Sequence, residues 1–221
     1  MTETMVPRAS AVILAGGKSR RMGRDKAFLE FAGQLLIERV IERVRQVCDE
    51  VVIVSNDLDS YARFGVPVMG DVYPNKGSLG GIFTGLQSTR EEHILAVACD
   101  MPFLNIDLLR HLISLAPQAD VIVPRAKDLS SNLHRGRPDA STMRLAKDAD
   151  LHPTHAIYSK RCADPMRERL LADDLRIIGF YDSVKVLVVE PEEIDRFDPR
   201  HLSFFNANTL EDLEFARTLV G

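Results

Sequence analysis

Cysteine is scarce in this sequence. Only Cys48, Cys99 and Cys162 occur in 221 residues, far apart and odd in number. That pattern excludes a disulfide framework and a CxxC zinc site, and it suits a reducing compartment. Long apolar runs are missing too. None approaches the roughly 18 residues that a membrane helix needs. Met1 to Ser10 carries no apolar stretch of the kind a secretory signal has. A cytoplasmic protein without a membrane partner is therefore expected. A positive charge balance is absent as well. The formal net charge is -4, so the surface as a whole is no nucleic-acid footprint, and no nucleic-acid partner is expected. No internal repeat is visible, nor any linker that would split the chain. With 45% apolar and 27% charged residues, the composition is that of a soluble globular protein. A length of 221 residues suits one sizeable domain spanning 1–221.

What is present is concentrated between residues 11 and 26. Ala11 to Leu14 is an apolar run that reads as a buried strand. Gly16 and Gly17 then allow a sharp turn and a close approach to a ligand. Consecutive amides in such a loop form a nest for anions. Lys18, Arg20, Arg21, Arg24 and Lys26 place five cations within nine residues. A glycine loop after a strand, followed by local positive charge, suits a small polyphosphate held by amides and side chains.

Two familiar phosphate motifs do not fit. A P-loop ending in Gly17-Lys18-Ser19 needs a glycine five positions before Gly17, and Val12 stands there. The dinucleotide fingerprint fails because Gly16 and Gly17 are adjacent and the next glycine is Gly23. A third pattern, L-x-G-G-x-S-x-R-M-G-x-D-K, is met by Leu14, Gly16, Gly17, Ser19, Arg21, Met22, Gly23, Asp25 and Lys26. It resembles the signature loop of the nucleotidyltransferases that make molybdenum cofactor guanine dinucleotide.

Further along, apolar segments alternate between strand and helix character. Strands are expected over Val12–Leu14, Glu50–Ser55, Val66–Met69, Ile94–Ala98, Asp120–Val123, Thr154–Ser159 and Lys185–Glu190. Helices are expected over 36–47, from the Gly-rich segment at 77–82 to about Arg90, and over 106–116, 163–172 and 174–182. Ser203–Asn208 reads as a short strand or loop. Thr209 then caps a last helix, with Asp212 in a capping box and Leu213, Ala216 and Val220 as its buried stripe. Strands separated by helices argue for βαβ units, hence an α/β fold with a mainly parallel sheet. Such sheets bind ligands at the carboxyl ends of their strands, where residues 15–26, Asp71 and Asp100 fall.

The resemblance continues through later segments in family order. Gly77-Ser78-Leu79-Gly80-Gly81-Ile82 resembles G-P-L-x-G, with Ser78 in place of proline. Cys99-Asp100-Met101-Pro102-Phe103 matches C-D-x-P-[FY]. His152 to Tyr158 resembles E-P-L-x-A-L-Y, and Asn206 to Leu213 resembles N-x-N-T-P-E-E/D-L with Leu210 in place of proline. The resemblance implies a three-layer α/β/α, Rossmann-like nucleotidyltransferase fold. It implies transfer of GMP from GTP to the terminal phosphate of molybdopterin, with Mg²⁺ as cofactor. Transient contact with molybdoenzymes or cofactor-delivery proteins is a further partner it suggests. Two enzyme alternatives are a cytidylyltransferase making the cytosine dinucleotide and, more distantly, a sugar-1-phosphate nucleotidyltransferase. A non-catalytic nucleotide-binding adaptor is the alternative from another class.

Roles follow residue by residue. Lys26, Asp100 and Arg21 are the catalytic candidates. A fixed ammonium at Lys26 suits the charge that builds on an α-phosphate and its leaving pyrophosphate. Asp100 follows a buried strand and precedes Pro102. A carboxylate there suits Mg²⁺, which takes one or two protein oxygens plus phosphate oxygens, or else caps the next loop. Asn208 is either a second metal oxygen or a turn residue before Thr209. Leu14, Ala15, Gly16, Gly17, Lys26, Asn56, Asp71, Gly80 and Asp100 form the nucleotide-binding set. Within it, Asn56 is a candidate partner for the base. Asp71 is a candidate for the ribose hydroxyls or the guanine ring, and each of the two is also a common turn residue. His152 and His155 lie near the expected pterin side, while His93 and Cys99 look structural. Residues 125–150 match nothing in the family pattern. They read as a flexible insertion, either a passive loop or a lid in which Arg125, Lys127, Arg135 and Arg137 close over an anion.

Overall fold

A computed structural model describes residues 7–16, 25–126 and 150–219. In chain order, β1 is Ser10–Leu14, β2 Glu30–Phe31, β3 Gln34–Leu35, α1 Leu36–Val44, β4 Val51–Val54, α2 Leu58–Ala62, β5 Val68–Met69 and α3 Gly77–Ser88. Then follow β6 His93–Ala98, α4 Ile106–Leu115, β7 Val121–Pro124, β8 His155–Ser159, α5 Ala163–Leu171, β9 Val186–Val189, α6 Pro191–Ile194 and α7 Leu210–Thr218. Seven strands make one sheet in the order β5-β4-β1-β6-β8-β7-β9. β1 pairs in parallel with β4 and β6, β4 with β5, and β7 with β9, while β8 runs antiparallel to β6 and β7.

The layers follow from alternation along the strands. Ala11 and Ile13 of β1 join Ile37, Val40 and Ile41 of α1 and Leu108, Leu109 and Leu112 of α4 in one apolar cluster. Val12 and Leu14 face the other way, onto Leu79, Ile82 and Phe83 of α3 and Met166 and Leu170 of α5. The expected three-layer α/β/α arrangement is what the chain adopts. α7 packs separately, with Leu213 and Ala216 against Phe31, Leu36 and Phe205. Its capping box is formed: Thr209 Oγ1 accepts from the Asp212 amide at 3.0 Å, and Asp212 Oδ2 accepts from the Thr209 amide at 2.9 Å. Val220 lies outside the described residues.

Helix α3 differs from the amphipathic helix expected after a glycine-rich lead. The glycines belong to the helix itself, which starts at Gly77, and every residue from Leu79 to Leu86 is buried. Glycine lets the backbone lie almost against the sheet. A Cβ at Gly81 would stand 3.0 Å from Leu14 Cδ2, and one at Gly85 2.6 Å from Val12 Cγ1. Gly85→Ala should therefore destabilise the protein. Overpacking a core costs about 1–3 kcal/mol, and the better helix propensity of alanine offsets at most about 1. A thermal melt should show Tm lowered by several degrees, at about 2–4 °C per kcal/mol for a chain of this size. An unchanged Tm would mean that the sheet yields more readily than a packed core does.

One further expectation changes. Asp174–Asp182 is a turn followed by a 3-10 helix over Ile177–Ser183, because Asp174 accepts from Arg169 and from both the amide and side chain of Arg176. An acidic side chain bonding its own backbone competes with helix formation. Of the two readings of Ser203–Asn208, strand or loop, the loop holds: Leu202–Phe204 form a 3-10 turn and extended chain follows. Of the expected insertion at 125–150, Arg125, Ala126 and Asp150 are described. The Arg125 amide donates to Val189 O at 2.9 Å, and the Ala126 amide to Asp150 O at 2.9 Å. Arg125 extends the end of β7 and pairs with Glu190 at 3.0 Å. Lys127, Arg135 and Arg137 lie outside the described residues. Among the described residues, no helix is long and apolar enough to cross a membrane.

Candidate active site

The strand order reverses at β1. The chain steps outward from β1 to β4 and β5, then returns to pair β6 on β1's other edge. A crevice opens beyond the carboxyl ends of neighbouring strands at such a switch point. The Ala15 amide donates to Val54 O at 3.0 Å and the Cys99 amide to Leu14 O at 3.2 Å, so the exits of β1, β4 and β6 are tied together. A cavity of about 150 Å³ lies there, lined by Leu14, Ala15, Gly16, Asp25, Lys26, Ser78, Ala98, Cys99, Asp100 and Thr154.

Lys26 and Asp100 line this cavity, and Asn208, from a third distant part of the chain, meets them through Lys26. Lys26 Nζ donates to Asn208 Oδ1 at 2.7 Å and stands 3.9 Å from Asp100 Oδ2. Both charged side chains are largely sheltered, at 16% and 14% exposure. Burial pushes the Asp100 carboxyl above the ordinary aspartate range, Lys26 opposes the shift, and the carboxylates of Asp212 and Asp25 add to it. Asn208 is held in place from behind. Fully buried Asp212 accepts from the Asn208 amide at 2.9 Å, and the Ala207 amide donates to Asp100 O at 2.9 Å. Lys26 itself starts a 3-10 turn, Lys26–Phe28, capped by Asp25, whose Oδ1 accepts from the Ala27 amide at 3.1 Å.

The donor set can be tested against a metal. Among the described residues, no group of three or more His, Cys, Asp or Glu side chains could hold a metal ion alone. Asp100 presents a carboxylate and Asn208 an amide oxygen on either side of the Lys26 ammonium, donors of the kind a hard cation takes together with phosphate oxygens.

Asn56 and Asp71 lie together at the exits of β4 and β5. Asn56 Nδ2 donates to Asp71 Oδ2 at 2.8 Å, and the Asp71 amide donates to Asn56 Oδ1 at 2.9 Å. Asn56 thus braces Asp71, whose Oδ2 is 4.0 Å from the position of a Cβ on Gly16, a residue of the cavity lining. Burial raises the Asp71 carboxyl, and the Asn56 hydrogen bond opposes the shift. Gly80 is placed differently from its expected partners. It is buried in the first turns of α3, where a Cβ would be 3.0 Å from Lys76 Cβ and 3.2 Å from Tyr73 O. Its smallness serves packing there, and Ser78 is the residue of that segment that lines the cavity. Gly17 and Arg21 lie outside the described residues.

One cavity residue carries no sequence signal of its own. Thr154 lies just before β8 and points its segment into the cavity, between two histidines that pack elsewhere. The rings of His152 and His155 both lie on Phe204, with centroids at 4.5 and 4.8 Å, and burial pushes His155 down to about 3. His155 is thus a neutral core residue. Cys99 lines the cavity wall, yet burial holds its thiol well above the ordinary value, with Asp100 and Asp25 adding to that. A thiol that stays protonated is no nucleophile. Tyr61, fully buried, donates from its hydroxyl to Asp25 Oδ2 at 2.7 Å.

Comparison with known proteins gives one family. The MobA-like NTP transferase domain matches residues 11–182. A Clostridium perfringens protein named "Probable molybdenum cofactor guanylyltransferase" is 34% identical over 211 residues, covering 94% of this chain and 95% of its own. "Molybdenum cofactor guanylyltransferase" of Desulfosudis oleivorans is 32% identical over 213 residues, covering 96% of this chain and 95% of its own. Among solved structures, molybdopterin-guanine dinucleotide biosynthesis protein A from Archaeoglobus fulgidus superposes with a TM-score of 0.76 at 25% identity, over 96% of this chain and 98% of that one.

Proposed function

This chain belongs to the MobA-like NTP transferase domain family, and we propose that it transfers GMP from GTP to the terminal phosphate of molybdopterin, releasing pyrophosphate. The observation that carries this reading is the meeting of Lys26 and Asp100, with Asn208 bonded to Lys26, at one cavity at the sheet's switch point. The whole chain acts as one nucleotidyltransferase domain, with GTP and molybdopterin as its partners.

An oxygen of the molybdopterin phosphate attacks the α-phosphorus of GTP. One P–O bond forms, the bond to the β-phosphate breaks, and the electron pair leaves with pyrophosphate. No covalent protein intermediate is needed, so the side chains contribute position and charge. Lys26 holds its ammonium where negative charge grows on the α-phosphate and leaving group. Asp100 and Asn208 would hold the cation, which we take to be Mg²⁺. When bound, it neutralises phosphate charge and orients the triphosphate. Asp71, braced by Asn56, faces the nucleoside end. Gly16 leaves room beside it, and the backbone of Leu14 and Ala15 lies along the same wall. Arg21 and Gly17 belong to the same phosphate loop by motif, and Gly80 shapes α3 beneath it.

Guanine is the expected base. The experiment is pyrophosphate release with molybdopterin and each of GTP, CTP, ATP and UTP, with chromatography of the dinucleotide formed. GTP should exceed CTP in kcat/KM by at least about a hundredfold, since a site that pairs one base's donors and acceptors rejects a base that leaves them unpaired. A cytosine dinucleotide made faster than the guanine one would overturn the base assignment and leave the transfer chemistry standing.

A further inference from the structure

Tyr61 takes no part in the transfer step above, yet its hydroxyl reaches the motif that carries the step. We propose that Tyr61 is a positioning residue for Lys26, acting through Asp25. The inference rests on the reading of Lys26 as the group that stabilises the transferring phosphate.

The contacts form a short chain. Tyr61 Oη donates to Asp25 Oδ2 at 2.7 Å, and Asp25 Oδ1 accepts from the Ala27 amide at 3.1 Å. The Phe28 amide donates to Asp25 O at 3.1 Å, and the Leu29 amide to Lys26 O at 3.0 Å. Lys26 therefore sits in a turn whose start is fixed by Asp25. The turn's apolar side is fixed by rings: Phe28 lies 5.0 Å from Tyr61 and 6.1 Å from Phe64, and Arg63 covers both phenylalanines.

Ring packing alone would anchor the turn. The hydroxyl adds something electrostatic. Asp25 lines the same cavity as Lys26 and Asp100. A carboxylate free to rotate there competes with the phosphates, and with Asn208, for the Lys26 ammonium. With one oxygen on the Ala27 amide and the other on the phenol, Asp25 is turned to structural work. Burial raises the Tyr61 phenol, and Cys99 and Asp25 raise it further, so the group stays an O–H donor at any working pH. The same helix begins just after Asn56: Asp57 Oδ1 caps α2 by accepting from the Ser60 amide at 3.2 Å.

Tyr61→Phe keeps the ring and removes only the hydroxyl. We expect kcat for pyrophosphate release from GTP and molybdopterin to fall about tenfold, as for a modest misplacement of a catalytic group, with KM for GTP nearly unchanged. In a Lys26→Ala background, the same substitution should have no further effect on kcat, since the group it positions is gone. A second measurement needs no turnover. Pyridoxal phosphate trapped on Lys26 by borohydride, followed by peptide mass spectrometry, should label Tyr61→Phe at a rate several-fold different from wild type. Wild-type kcat together with wild-type labelling would overturn the proposal. So would an equal loss of kcat in both backgrounds, which would place the tyrosine's effect on the fold. Wild-type protein that releases no pyrophosphate counts against the transfer reading instead, and the labelling rate then decides the role of Tyr61.

Discussion

Lys26→Ala should lower kcat by at least about a hundredfold while leaving the protein folded. That is the scale for losing one preorganised electrostatic group aimed at developing charge. The geometry says why this lysine has no substitute among the described residues of the cavity. Its ammonium, 16% exposed, is fixed by Asn208 at 2.7 Å and lies 3.9 Å from Asp100. The cost to stability should be small, because the apolar anchors of the turn are Ala27, fully buried, and Phe28, packed against the Tyr61 ring. Circular dichroism and a melt should match wild type closely. Lys26→Arg should recover only part of the rate. It keeps the charge, but its planar fork does not reproduce a point charge held by one amide oxygen. A folded Lys26→Ala variant that turns over at a near-normal rate would remove Lys26 from the mechanism.

Much of this site was legible in the sequence because its residues are fixed by local pattern. Gly16 and Lys26 sit in a long motif that follows a strand, and Asp100 follows another strand. Parallel-sheet geometry alone brings such strand exits together. Asp212 was visible through the capping box at Thr209, and Asn208 only through the family resemblance. What was not legible depends on partners distant in sequence. Tyr61 sits on a helix of five residues, Leu58–Ala62, too short to show a period, and its role exists only because Asp25 packs beside it. Thr154 has no chemistry of its own to flag it and counts only because β8 begins beside the cavity. The direction of β8 was equally hidden. All five of its residues are buried, so no alternation marks a face, and burial does not distinguish a parallel from an antiparallel neighbour. The brace between Asn56 and Asp71 explains why two candidates for one ligand divide their work. One N–H and one oxygen of Asn56 already serve Asp71.

Asp100→Asn should separate function from stability more sharply than any other change. The amide keeps the shape of the carboxylate and loses the charge that a hard cation requires. kcat at saturating Mg²⁺ should fall by about a hundredfold or more, the scale for losing a key electrostatic group, and the Mg²⁺ concentration for half-maximal rate should rise. Stability should move the other way. Burial lifts this carboxyl above its unfolded value, so the folded protein binds that proton more tightly than the unfolded chain does. The stability linked to it is present in acid, below the ordinary aspartate value, and is lost as pH rises through the lifted one. At neutral pH the buried charge therefore costs stability, and Asn removes that cost. Tm of the variant should equal or exceed that of wild type at pH 7, with the difference shrinking in acid. The same shift sets an acid limb on wild-type kcat/KM: activity is lost as pH falls through the lifted value, because the protonated acid is a poor ligand. Raising Mg²⁺ should push that limb to lower pH, since metal and proton compete for one oxygen pair, and Asp100→Asn should abolish the limb. A variant that titrates with Mg²⁺ as wild type does, or a limb that ignores the metal, would leave Asp100 a structural residue and move the cation elsewhere.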